Sequence, residues 1–242
     1  MIRPMIRPMM SPKVIPPPAL PRLIRSALGA GLILLAAACA HTDDPLVKPL
    51  LALNELQYDA GVLMTKAEDL YDKQEYDQAA PEYERFLELH PVHRWAPHAQ
   101  FKLALGYAHR AGKVGRDPTM AEKAKAAFER VLSYSGTRYD EAARAKLAEI
   151  NRHLAQGDVS VGRYYFKQGR YPAAIERFRR VVDQKLGGVV SEDAAYWLAV
   201  AYERDGQTTQ AADAARALLD AFPQSRYAKS IERLRARIAA GT

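Results

Sequence analysis

The chain has 242 residues, with 35 basic and 28 acidic side chains, a net charge of +7, 48% hydrophobic residues and a single cysteine. One cysteine excludes an internal disulfide framework. The apolar content excludes a disordered chain, and the length allows one domain or solenoid with a core of its own. The positive charge is concentrated at the start. Arg3, Arg7, Lys13, Arg22 and Arg25 precede any acidic residue, and beyond residue 38 the balance falls to thirty basic against 28 acidic. The high pI therefore gives no support to nucleic-acid binding.

Residues 1–38 read as a signal peptide. The basic stretch leads into the apolar run Ala27 to Ala38, which is too short to span a bilayer and suits a signal-peptide core. The tetrad MIRP occurs twice and Met9 and Met10 follow, which leaves the start methionine open. Cys39 comes next, and Leu35-Ala36-Ala37-Ala38-Cys39 resembles a bacterial lipobox with alanine at 36 where leucine is usual. Cys39 is then the lipidation site, and several acyl chains on one residue anchor stably where one would not. Residues 39–58 hold Pro45 and Pro49 and read as a polar tether, with a first helix beginning near Leu53.

From residue 59 the sequence repeats itself. In Leu63 to Pro91, Ala67 and Leu70 share one helical face, Ala79, Tyr83 and Phe86 share another, and Pro91 stops the chain. The pattern returns as Ala199, Tyr202, Ala211, Ala215, Leu218 and Pro223, and as Gly162, Tyr165, Gly169, Ala174, Phe178 and Val181. A fourth copy, Ala104, Tyr107, Ala124, Phe128 and Val131, fits with eight extra residues around 112–120. Small and aromatic residues at these offsets resemble the tetratricopeptide repeat, TPR, a helical hairpin that buries its apolar face only by stacking on its neighbours. Between the second and third copies, Ala143, Leu147, Ile150 and Leu154 mark an extra helix over 138–155, free to run on past Gly157. A basic terminal helix over 225–240 caps the stack. The fold expected is all-α, a TPR-like helical-hairpin solenoid of about ten helices over 59–242, behind the cleaved lipoprotein signal peptide.

No catalytic constellation, phosphate loop or HExxH motif is present in the sequence. His90, His93 and His98 lie across a loop with no cysteine or carboxylate completing a metal set. No metal and no cofactor beyond the lipid on Cys39 is expected. A solenoid instead offers a long concave face, here expected to present Met64, Glu68, Tyr71, Phe101, Leu105 and His109. Trp95 and Arg94 at the junction of the first two repeats are either a contact surface or packing between repeats.

The hairpin at 70–91, the extended turn Gly115 to Thr119 and the helix at 138–155 running into 158–182 together resemble the BamD family, also called ComL or YfiO, of outer-membrane protein assembly lipoproteins. The resemblance covers about 45–235. It implies a non-enzymatic scaffold on the outer membrane, its domain in the periplasm, with no nucleic acid among its partners. By the same resemblance, its amino-terminal repeats receive the carboxy-terminal strand of unfolded outer-membrane proteins. Its carboxy-terminal half docks on a BamA-like barrel assembly protein beside other assembly lipoproteins. The residues this places in the substrate groove are Tyr71, Trp95, Phe101 and Leu105. Charge points to Arg163, Arg204, Arg226 and Arg233 for docking. A type IV pilus secretin pilotin and a cell-division or peptidoglycan adaptor share Cys39 and the repeats and stay as alternatives.

Overall fold

The computed structural model describes residues 58–112 and 117–241, and these form α-helices joined by short turns. The signal peptide, Cys39 and the tether up to residue 57 lie outside the described residues. Among the described residues nine helices follow one another: α1 Ala60–Asp72, α2 Tyr76–Leu89, α3 Ala96–Arg110, α4 Thr119–Ser133, α5 Asp140–Lys167, α6 Tyr171–Asp183, α7 Gly188–Arg204, α8 Thr208–Ala221 and α9 Ala228–Ala240. Each packs on the next, and α5 also reaches α7. The extra helix expected over 138–155 runs on past Gly157, the continuation the sequence allowed. It merges with the first helix of the third repeat into the 28-residue α5.

Local chemistry explains the boundaries. Asp59 caps α1, its carboxylate accepting from the Gly61 and Val62 N–H groups at 2.8 and 3.2 Å. Asp117 accepts from the Thr119 N–H at 3.0 Å and its hydroxyl at 2.6 Å, which sets the start of α4. Three hairpin turns carry a left-handed residue at the same place: Gly169 at φ 71° and Gly206 at φ 76°, but Gln74 at φ 62°. Glycine takes that conformation without strain, and glutamine does so at a cost.

The repeat signature is the core. Ala67, Ala104 and Ala199 on the first helices, and Ala79, Ala124, Ala174 and Ala211 on the second, are at most 1% exposed. Small side chains let the paired helices close up, and Tyr83, Phe128 and Phe178 fill the space beside them with no exposed surface. The buried residues group into an amino-terminal cluster from α1 to the first half of α5, a second from the latter half of α5 to α8, and a third joining α7, α8 and α9. Among the described residues no helix is long and apolar enough to cross a membrane.

Candidate functional site

The first two repeats meet around Glu68 on α1. Its Oε1 accepts from the Tyr83 hydroxyl at 2.8 Å and from His98 Nε2 at 2.8 Å, and Lys102 Nζ lies 3.1 Å from Oε2. With Nε2 donating, His98 Nδ1 is left to accept from the Tyr139 hydroxyl, 2.8 Å away at the start of α5. Arg138 donates to that same hydroxyl at 2.7 Å. One chain of hydrogen bonds thus links α2, α1, α3 and the turn before α5. Burial works to raise the Glu68 carboxyl, but donation from Tyr83, Lys102 and His98 outweighs it and holds the pKa below its ordinary value.

That shift has a pH consequence. A carboxyl depressed in the folded state adds stability that is complete above its unfolded pKa near 4.5 and is lost as pH falls through the lower folded value. Urea midpoints measured between about pH 5 and pH 3 are expected to fall. Glu68→Gln should flatten that fall while leaving an acceptor for Tyr83. An unchanged slope in the variant would show that Glu68 does not set it.

Beside this network is a cavity of about 480 Å³. Its walls are Met64, Trp95, Pro97, His98 and Tyr139, with Arg94 and Arg138 at the mouth. Arg94 lies 5.1 Å over the Trp95 ring and Arg138 lies 4.9 Å over Tyr139. Both arginines are exposed, and no ion pair holds either guanidinium among the described residues. The pocket therefore combines aromatic walls with two uncompensated cations. Such a site suits an apolar or aromatic group that carries a negative charge at its outer end.

The structure divides the expected groove residues. Trp95 is half-buried and lines the cavity, its ring edge-on to His93 at 4.9 Å. Phe101 stands behind it, stacked on Tyr139 at 5.0 Å. Tyr71 belongs to a separate cluster with Tyr76 at 5.2 Å and Tyr83 at 6.3 Å, beneath Lys102 Nζ at 4.0 Å. Burial pushes its phenol up to about 12, and nearby Tyr76, Glu68 and Asp72 add to this. Leu105 is partly buried against the core. His109 stacks flat on Tyr76 at 4.7 Å. Met64, expected on the open face, is only 7% exposed and forms cavity wall. The three loop histidines go to different partners: His90 to the Tyr58 carbonyl, His93 to the Trp95 N–H and His98 to Glu68 and Tyr139.

Sequence reasoning missed Tyr139 and Arg138. Tyr139 meets His98 across 41 residues of chain, a contact that no local spacing signals. The four docking arginines are spread over α5, α7, the α8–α9 turn and α9. Arg226 is committed within the fold to Asp193 and Glu192, and Arg233 bonds Ser230 and the Lys229 carbonyl. Arg163 lies 5.2 Å over Trp197, and Arg204 is exposed at the end of α7.

A family model described as outer membrane lipoprotein, YfiO, matches residues 56–185, and a tetratricopeptide repeat model matches 162–226. The chain is 31% identical to the outer membrane protein assembly factor BamD of Caulobacter vibrioides over 158 residues, 65% of this chain and 52% of that protein. It is 28% identical to BamD of Rickettsia prowazekii over 72% of this chain and 69% of that protein. Against BamD of Neisseria meningitidis serogroup A the identity is 29%, over 65% and 63% of the two chains. The chain thus spans between half and about two thirds of the curated relatives it matches.

Proposed function

This chain belongs to the YfiO family of outer membrane lipoproteins, and from that membership we propose that it is a scaffold of outer-membrane β-barrel assembly. It performs no chemical step. Residues 1–38 direct export, lipid on Cys39 anchors the chain to the outer membrane, and the solenoid stands in the periplasm behind the 39–58 tether. The relatives reported above carry the name of outer-membrane assembly factors, which favours this reading over a pilus or cell-wall adaptor.

The cavity between the first two repeats receives the end of an unfolded outer-membrane protein. The observation that carries this is the pairing of Trp95 and Tyr139 walls with the exposed Arg94 and Arg138, neither in an ion pair among the described residues. An aromatic side chain fits against the walls, and the terminal carboxylate of the same residue meets the arginines. The carboxy-terminal half is the side that docks on the barrel-forming BamA-like subunit. Arg204, and Arg163 apart from its contact with the Trp197 ring, are the better candidates there, because Arg226 and Arg233 are held by ion pairs or hydrogen bonds in the fold.

Trp95→Ala tests the site more cleanly than changes at Tyr71 or Phe101, which are held in packed clusters. A fluorescent peptide ending in phenylalanine with a free carboxylate is expected to bind the wild type and to lose at least about tenfold in affinity, ~1.4 kcal/mol, to Trp95→Ala. Arg94→Glu with Arg138→Glu should weaken the same peptide and leave its carboxy-amidated form unaffected. Equal binding by all variants with intact helical circular dichroism would move the site elsewhere.

A further inference from the structure

The largest cavity among those described lies in the other half of the protein, about 720 Å³ over α7 between α6 and α8. Its apolar lining includes Leu198 and Phe222, and small residues run along it, Ala195 from α7 and Ala214, Ala217 and Ala221 from α8. The preceding repeat shows what this gap holds elsewhere. Aligned on Gly162 with Ala199 and Ala174 with Ala211, the positions of Ala195, Ala214 and Ala217 are those of Asp158, Arg177 and Arg180. There the equivalent cleft, about 470 Å³, is lined by charge, with Arg177 at 2.8 Å and Arg180 at 3.6 Å from Asp158. In the fourth repeat three alanines replace the ion pairs, and the cleft is larger and mainly apolar.

Ser191 gives the cleft a direction. It lines the cavity and is 6% exposed, yet its hydroxyl has no hydrogen-bond partner among the described residues. A buried hydroxyl left unmatched costs free energy, so it points to a group supplied from outside. Lys185 lies at the same end, exposed and with no ion pair among the described residues. That end offers one donor and one cation, Tyr202, Gln210 and Asp213 stand towards the other, and most of the wall between is apolar.

We infer that this cleft takes an amphipathic helix of a partner protein, its aliphatic face on the alanines and its carboxy-terminal end against Ser191 and Lys185. The physical grounds are three. An extended peptide would place most of its N–H and C=O groups against apolar side chains, with only a few polar ones such as Gln210 and Asp213 to bond them, whereas a helix satisfies its own backbone. Small residues at Ala214, Ala217 and Ala221 let a helix axis approach closely. The last turn of a helix carries unbonded carbonyls and the negative end of its dipole, complementary to a serine hydroxyl and an ammonium group. This surface is distinct from the peptide site between the first repeats and does not rest on it.

Photo-crosslinking of the full-length protein in its own membranes tests the inference. Benzoylphenylalanine replaces Gln210, at the Tyr202 end of the cleft, or Ala221, at the Ser191 end, and the adducts are mapped to residues by mass spectrometry. Both positions are expected to reach one segment of one partner, Ala221 towards its carboxy terminus. The two adducts should lie about 11 residues apart if that segment is helical, against about 5 if it is extended. Ala217→Trp, at an exposed position, should lower both yields about tenfold without changing the melting temperature. Adducts in reversed order, adducts at extended spacing, adducts on lipid or on a second copy of this chain, or none at either position, each overturn it.

Discussion

Gly162→Leu is expected to lower the melting temperature of the solenoid by about 10 °C, from an overpacking cost of about 3 kcal/mol. A Cβ at residue 162 would stand 2.6 Å from one Phe178 ring atom and 2.9 and 3.0 Å from two others. Phe178 has no exposed surface and cannot swing out. The first, second and fourth repeats carry alanine at this position, so the fold as such does not demand glycine; the Phe178 ring does. Gly162→Ala should therefore destabilise in the wild type although alanine is the better helix former by about 1 kcal/mol. In a Phe178→Leu background, which costs stability by itself, the same Gly162→Ala change should become neutral or stabilising. Thermal melts of the four proteins in this cycle decide it. Additive effects would mean that the glycine answers to something other than the ring.

Removing the Glu68 side chain should be the most damaging change at the amino-terminal site. Glu68→Ala leaves the buried Tyr83 hydroxyl, His98 and Lys102 without their acceptor. An orphaned buried donor costs about 1–3 kcal/mol, and the ion-pair part is smaller because both partners are partly exposed. A loss of about 2–3 kcal/mol in urea denaturation is expected. Tyr83→Phe removes the orphan, so Glu68→Ala should cost less in that background. The change also releases His98 from the carboxylate and with it the orientation of Tyr139, so peptide binding should weaken in step. If stability falls while binding holds, Tyr139 is positioned by Phe101 stacking alone.

These two sites differ in how far the sequence reveals them. The repeat register was readable because each repeat buries the same positions, and Ala67, Ala79, Tyr83 and Phe86 all lie where their spacing puts them. The terminal helix and the hairpin turns followed from the same periodicity. The extra helix does run on past Gly157, and Ala155 and Val159 continue the buried face there. At the candidate site, Trp95 could be picked out as an aromatic at a repeat junction. Its partners could not, since Tyr139 and His98 are brought together only by stacking α5 on the preceding hairpins. Tyr71 and Phe101 were chosen as aromatic residues facing a groove, but aromatic residues on adjacent helices also pack against one another, and spacing alone does not separate the two outcomes. The alanine cleft was invisible for the opposite reason: alanine on a helix gives no signal until the missing volume is seen.

The unbroken helix α5 has a mechanical consequence. Its 28 residues make a rod about 42 Å long. Ala143 and Ile150 are embedded in the amino-terminal core, and Ala155 and Val159 are embedded in the next. Two segments joined by a loop could pivot about it; these are joined by a strut whose backbone hydrogen bonds run through the junction. A load applied where Tyr139 meets the first repeats is carried along α5 to α6 and α7 as a tilt of the whole beam, so torque on one half turns the other with it.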